Sequence, residues 1–244
     1  MKQLVTWFVS VIAAATLACC VGCGAGFKNS DLTFAESLQY ESVALVRERD
    51  HEMHAYCSGV WIGKEMILTA AHCVTENDDK PEISPVGNSV NYFVPDDISG
   101  KLDVSSLFSK SRLGVIVAYD ENIDLALIST PKAPEHDFVR LTSDDIKAGD
   151  EVHIVGHPAG LWWTYSRGVV SATRVMDGPL PIKQLTLQIS APVWFGNSGG
   201  GAFNERGELI GISSYIYPKG PSLSFFVHRD TIYNFLRTNH VISK

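Results

Sequence analysis

A chain of 244 residues, 45% apolar and 19% charged, has the composition of a folded protein of one large domain or two small ones, which excludes a disordered chain. Its formal net charge of -7, with no run of basic residues, leaves no electrostatic footprint for a nucleic-acid partner. Twenty glycines, eleven prolines and many short β-branched runs point to an all-β architecture.

The first 23 residues stand apart. Lys2 is their only charge, and 4–21 is almost wholly apolar with small residues towards its end. A positive start, an apolar stretch and then small residues are the outline of an export signal. Cys19, Cys20 and Cys23 crowd the end of the stretch. Cys20-Val21-Gly22-Cys23 resembles a bacterial lipobox, which makes Cys23 the lipidation candidate, although the Leu usually three before the modified Cys is missing. Cleavage, lipidation and retention as an anchor all stay open, since an apolar run of this length can just span a bilayer. Each places the protein outside the cytoplasm, periplasmic or at the cell surface, with membrane contact only through a lipid or the N-terminus. The remaining Cys57 and Cys73 form an even pair, which suits a disulfide in an oxidising compartment.

Residues 24–33 read as a tether, and from about Phe34 the pattern becomes strand-like. Short apolar runs predict strands over 42–47, 55–62 and 66–70, a mostly loop segment rich in Asp, Asn, Pro and Gly over 77–97, and further strands over 114–118 and 125–128. Residues 131–137, with two prolines, read as a linker between lobes. A second series of strands is predicted over 151–156, 166–173, 185–189, 209–217 and 223–227. Asp230 then reads as the N-cap of a terminal helix with Ile232, Tyr233, Phe235 and Leu236 on its apolar face. Many short strands with little helix before the end predict a sandwich or barrels.

The stretch Trp194-Phe195-Gly196-Asn197-Ser198-Gly199-Gly200-Gly201 sets a serine among four glycines. It contains G-x-S-x-G, the nucleophile elbow of α/β hydrolases, but that elbow needs a helix directly after the serine. Three glycines follow instead, each costing about 1 kcal/mol in a helix. A phosphate loop is excluded because no Lys-Ser or Lys-Thr follows the glycines. A plain turn and a nucleophile loop both remain open from these residues alone.

Two upstream stretches decide between them. Leu68-Thr69-Ala70-Ala71-His72-Cys73 sets a histidine after an apolar run, and Asn122-Ile123-Asp124-Leu125-Ala126-Leu127-Ile128 sets an acid at the head of another. With T-A-A-H-C, D-L-A-L and G-N-S-G-G in the order His, Asp, Ser, the chain resembles the chymotrypsin-like serine proteases. The likeness runs from about Val43 to Leu236. It is strongest to the bacterial branch of periplasmic stress proteases, through 155–161, 168–172 and 207–212. Those proteases carry PDZ domains, and none is expected in this chain.

The resemblance implies an all-β fold of two Greek-key antiparallel β-barrels with the active site between them and a short C-terminal helix. It divides 34–244 into a first barrel (34–135), a second barrel (136–228) and a helix (229–240). It implies a serine endopeptidase acting on polypeptides, with Ser198 as nucleophile, His72 as general base and acid, Asp124 as its orienter, and the N–H groups of Gly196 and Ser198 as oxyanion hole. It implies a Cys57–Cys73 disulfide tying the histidine loop, whose closed loop of about 16 residues is worth roughly 3 kcal/mol. No cofactor or metal is implied. Asn197 stands where digestive members carry the Asp that pairs with a new N-terminal amine, so activation by that route is not expected. Pro192 stands where trypsin-like members carry an acid, so cleavage after Arg or Lys is not supported. Ser213, Ser214, Tyr215 and Ile216 are expected to wall the substrate pocket, with Ile216 making it shallow and suited to small or medium apolar side chains.

Other features are given ordinary roles. His51-Glu52-Met53-His54 is not a zinc H-E-x-x-H, because position 55 is Ala. Asp78-Asp79 reads as a solvated acidic loop. Trp162-Trp163 is expected to pack in, or line the substrate side of, the second barrel. The rival functions are a catalytically inactive binding or surface protein on the same fold, and an esterase with the same three residues.

Overall fold

The computed structural model describes residues 32–63, 65–75, 85–94, 111–131, 138–176, 184–217 and 223–242. The leader, the tether up to residue 31, Cys19, Cys20, Cys23 and Asp78-Asp79 lie outside them.

Twelve strands, in two sets of six, carry the described fold. The first set is β1 (Ser42–Arg49), β2 (Glu52–Gly63), β3 (Met66–Thr69), β4 (Ser89–Phe93), β5 (Arg112–Asp120) and β6 (Leu125–Ser129). The second is β7 (Glu151–Gly156), β8 (Thr164–Met176), β9 (Gln184–Ile189), β10 (Gly201–Phe203), β11 (Leu209–Ile216) and β12 (Ser224–His228). Each set closes into an antiparallel barrel, in the orders β1-β2-β3-β6-β5-β4 and β7-β8-β9-β12-β11-β10. These are one topology used twice. In each, three successive strands pair as hairpins and the fourth returns beside the first, which is a Greek key. Closure leaves neither barrel with an open edge.

The hydrophobic pattern dictates the packing. Val43, Leu45, Trp61, Ile67, Tyr92 and Ile128 fill the first barrel, and Val152, Ile154, Leu187, Ile189 and Phe226 the second. A third cluster joins them: Val60, Leu68 and Leu127 meet Val155, Phe203, Ile212 and Val227, together with Ile232, Phe235 and Leu236 of the C-terminal helix α3 (Arg229–Thr238). The two barrels are therefore bonded by burial along one face, and the site lies at that junction.

Four local expectations need correction. Residues 34–40 form a helix, α1 (Phe34–Tyr40), rather than the start of a strand pattern. Thr33 accepts from the Glu36 amide while the Glu36 carboxylate accepts from the Thr33 amide, a capping box that was present in the sequence as Thr33-Phe34-Ala35-Glu36. The segment expected to be mostly loop contains β4, where alternate residues Val90 and Tyr92 turn into the barrel among polar neighbours. The N-cap of α3 is His228, whose Nδ1 accepts from the Asp230 amide, and Asp230 sits inside the first turn. Trp163 packs on Ala44, Val46 and Phe93 of the first barrel, and its indole N–H donates to the Ser42 carbonyl at 3.2 Å. It seals the barrel junction instead of lining the substrate side of the second barrel. Among the described residues no helix is long and apolar enough to cross a membrane.

Candidate active site

A cleft of about 650 Å³ opens where the two barrels meet, lined by Tyr56, His72, Glu121, Asp124 and Cys57–Cys73 from the first and by 193–196, Ser198 and 213–216 from the second. The three candidate catalytic residues reach it by different routes.

His72 is delivered by a strand end. β3 runs buried through Leu68 and Thr69, Ala70 and Ala71 have no exposed surface, and the chain turns into the short helix α2 (His72–Thr75). The Cys57–Cys73 disulfide, with Cα atoms 6.1 Å apart, ties that turn to β2. The Tyr56 hydroxyl donates to the Cys73 carbonyl at 3.2 Å from the same strand.

Asp124 closes the turn ahead of β6 and is almost fully buried. Its φ of +53° lies in the left-handed region, which Asp tolerates better than most residues. Both carboxylate oxygens lie 3.0 Å from His72 Nδ1, and Oδ1 also accepts from the His72 amide at 3.0 Å. Ser214 Oγ, from the other barrel, donates to Oδ2 at 2.5 Å. A carboxylate only accepts, so Nδ1 carries the proton and the neutral ring presents Nε2 as its basic atom.

Ser198 is held through the backbone of its loop. Every carbonyl from 194 to 198 is engaged. Trp194 accepts from the amide and side-chain Nδ2 of Asn197, Phe195 from the Ala159 amide, Gly196 from Ser58 Oγ, Asn197 from the Gly200 amide and Ser198 from the Ser58 amide. Of the amides from 196 to 200, those of Asn197, Gly199 and Gly200 donate within the protein, whereas those of Gly196 and Ser198 have no acceptor among the described residues. For Gly196 the direction follows from planarity. The trans peptide between Phe195 and Gly196 sends its carbonyl to Ala159, 2.7 Å away, so the N–H of Gly196, a residue that lines the cleft, points away from Ala159. Such a pair of open donors beside a hydroxyl is the arrangement that stabilises a developing oxyanion.

Two glycines make this loop possible. Gly196 has φ +99° and Gly199 φ +82°. A Cβ on Gly196 would press on the His157 carbonyl oxygen, and one on Gly199 on the Ser58 carbonyl and Thr69 Oγ1. Both strain and space exclude other residues there. Asn197 is buried under the loop beside Gly156, as a neutral donor with no ion pair.

Ser213, Ser214, Tyr215 and Ile216 line the cleft, and Tyr215 is stacked on Phe225 with ring centres 4.7 Å apart. The lining starts at Val193, one residue after Pro192. Pro192 itself is exposed, and its carbonyl accepts from Ser166 Oγ at 3.0 Å. Two aromatic residues that sequence reasoning gave no role stand on the rim: Trp194 and Phe195 are 57% and 66% exposed, edge to face at 5.4 Å. Their place directly before the G-N-S-G-G motif was the available signal. Ser214 is more than a pocket wall, because its hydroxyl also bonds Asp124, a contact that nothing in the sequence signals. Sulfur and nitrogen atoms of Cys57, His72 and Cys73 lie within 4.8 Å of one another, but both sulfurs are consumed in the disulfide, so no thiolate pair is there to hold a metal.

Beneath the loop, His157 is fully buried. Its Nδ1 accepts from the Trp163 amide at 3.0 Å, and the two rings meet edge to face at 5.3 Å. Burial pushes its pKa down to about 3, so the ring is neutral.

A family model described as a trypsin-like peptidase domain matches residues 57–212. Among curated proteins, the magnetosome formation protease MamE of Magnetospirillum gryphiswaldense is 39% identical over 138 residues, 54% of this chain and 16% of that protein. A probable periplasmic serine endoprotease DegP-like of Brucella suis is 39% identical over 112 residues, 44% of this chain and 21% of that protein. The chain thus spans only about a fifth of the length of such relatives. Among solved structures, an inactive form of Rv3671c from M. tuberculosis H37Rv superposes with a TM-score of 0.66 at 18% identity, covering 86% of this chain and 91% of that one. The serine endoprotease from Yersinia pestis gives 0.61 at 20% identity, covering 85% and 66%. At these identities the structures speak for the fold.

Proposed function

The chain belongs to the trypsin-like peptidase family, and on that premise we propose that it is a serine endopeptidase working through an acyl-enzyme. Ser198 Oγ attacks the scissile carbonyl while His72 Nε2 takes its proton. The negative oxygen of the tetrahedral intermediate is met by the Gly196 and Ser198 amides. Collapse breaks the C–N bond, and the imidazolium gives its proton to the leaving amine. Water then repeats the cycle on the ester, and Asp124 holds the ring tautomer and stabilises its charge throughout. The observation that supports this most is the His72 ring fixed on Asp124 in the same cleft as Ser198 and two acceptor-free amides. The test is hydrolysis of casein and peptides by the folded, disulfide-bonded protein and its loss in Ser198→Ala. Hydrolysis of simple esters alone would make it an esterase, and no hydrolysis of either would leave a binding protein on this fold.

We further propose, within 34–244, a first barrel over 34–135, a second over 136–228 and a helix over 229–240. The apolar side chains of Val193, Trp194, Phe195, Tyr215 and Ile216 favour apolar substrate residues, and a positional-scanning library dominated by Arg or Lys would overturn that. Asn197 already bonds the loop without an ion pair, so the protein is active with its N-terminal extension in place. Activity appearing only after a cut near residue 40 would contradict this. Export is supported by the leader and by a relative named as periplasmic, and the mass of the exported protein decides between cleavage and a lipid on Cys23.

A further inference from the structure

We propose that Ser58 is a positioning residue for catalysis: its hydroxyl, reaching across from the first barrel, holds the Gly196–Asn197 peptide, the plane that lies between the two amides of the oxyanion hole. The proposal rests on the serine-endopeptidase reading above.

Ser58 lies on β2 directly after the bridged Cys57, has no exposed surface, and is absent from the lining of the cleft. It cannot touch substrate, yet four hydrogen bonds converge on it. Its Oγ donates to the Gly196 carbonyl at 2.7 Å and accepts from the His157 amide at 3.2 Å. Its own amide donates to the Ser198 carbonyl at 2.8 Å, and its carbonyl accepts from Thr69 Oγ1 at 2.7 Å, three residues before His72. One residue thus ties the nucleophile loop, the turn beneath it and the strand leading to His72.

The carbonyl it holds is the critical one. Asn197 Nδ2 grips the Trp194 carbonyl from within the loop; among the described residues, Ser58 Oγ is the side-chain donor that reaches the loop backbone from outside it. The disulfide sulfur of Cys73 also approaches the Ser198 carbonyl, at 3.5 Å, but it carries no hydrogen. The Gly196–Asn197 peptide follows the acceptor-free Gly196 amide and precedes the Ser198 amide. Gly196, without a Cβ and at φ +99°, resists rotation of that plane less than any other residue would. The N–H end of that plane is held by the Trp194 carbonyl, and the buried Ser58 donor on its carbonyl fixes the other end. Accepting from His157 polarises the hydroxyl and strengthens the bond it gives. Without the hydroxyl, the Gly196 carbonyl and the His157 amide are both left buried and unpaired, which rotation of the peptide relieves for the carbonyl.

The experiment measures peptide hydrolysis, affinity for a peptide boronate and thermal stability for wild type and Ser58→Ala. The expected result is a fall in kcat of about 10–100-fold, part of the roughly 10²–10³-fold worth of one oxyanion donor, with KM within about threefold and boronate affinity falling in step with kcat. A merely structural role would lower stability and leave kcat per folded molecule intact. That outcome, or an unchanged kcat in a folded Ser58→Ala, overturns the proposal. Should Ser58→Ala not fold, the isosteric pair Ser58→Thr and Ser58→Val replaces it, since both add the same bulk and only Thr keeps the hydroxyl. Thr is expected to turn over at least about tenfold faster than Val, and equal rates overturn the proposal. A crystal structure of the hydroxyl-free variant separates this inference from the activity it rests on. A rotated Gly196–Asn197 peptide supports it even if wild type hydrolyses nothing, and an unmoved loop overturns it.

Discussion

The two barrels share one strand order but hold their candidate catalytic groups by different means. The first presents side chains, His72 and Asp124, locked by a disulfide and by carboxylate hydrogen bonds. The second presents a hydroxyl and two amides, locked by a ladder of backbone bonds around glycines. Each barrel also lends the other one serine. Ser214 of the second bonds Asp124 of the first, and Ser58 of the first bonds Gly196 of the second. The difference teaches where substitutions act: the first barrel's contribution is removed at the residue itself, whereas most of the second's lies in peptide groups that only a neighbour can disturb.

The sharpest way to test this asymmetry is to remove the groups that react. Ser198→Ala and His72→Ala are each expected to lower kcat by about 10⁵–10⁶-fold, and the double variant by no more than either single one, because the residues act as a unit. An additive double variant would break the account. Asp124→Asn keeps the shape of the first barrel's acid but permits the wrong ring tautomer, and a loss of about 10⁴-fold in kcat is expected. A loss under tenfold would show that the ring does not depend on Asp124.

Stability distinguishes the barrels next. Opening the Cys57–Cys73 bridge by Cys57→Ala with Cys73→Ala is expected to cost about 3 kcal/mol, read as a fall in Tm of roughly 6–12 °C. An unchanged Tm would mean that backbone bonds suffice to hold the His72 turn too. The second barrel carries an acid-sensitive element instead. Burial depresses the His157 pKa from 6.5 to about 3, so the unfolded chain binds the extra proton. This contribution is fully present above pH 6.5 and is lost as pH falls towards 3, about 2 kcal/mol of it by pH 5. His153 and His228 are shifted down by burial as well and act with the same sign. His157→Asn keeps an acceptor for the Trp163 amide without titrating, and denaturant unfolding between pH 7 and 5 should be flatter for it than for wild type. Equal slopes would contradict the assignment. The smallest expected effect is that of Ser214→Ala, about tenfold or less in kcat, since His72 keeps both contacts to Asp124.

Much of this was legible in sequence because the chemistry is carried by short, ordered motifs. His72, Asp124 and Ser198 were picked out by type and order, and the structure brings them to one cleft, while the strands around them followed from apolar runs. What escaped is long-range or short in signal. β4 is five residues whose inward Val90 and Tyr92 sit among turn-forming neighbours, and β10 is three residues beginning in a glycine run. α1 was missed although its capping box was written out at Thr33 and Glu36. Trp163 gave no sign of which barrel it serves, because the partner carbonyl of Ser42 is 121 residues away. Ser58 looks like any small strand residue until the fold brings Gly196, 138 residues distant, onto its hydroxyl.

The central claim is that Ser198 is a nucleophile activated by His72, and the most direct measurement is intact-mass analysis after exposure to a fluorophosphonate. One adduct per chain, mapped to Ser198 and abolished in both Ser198→Ala and His72→Ala, is the predicted result. A folded, disulfide-bonded protein that takes up no adduct, or takes it up elsewhere, would contradict it.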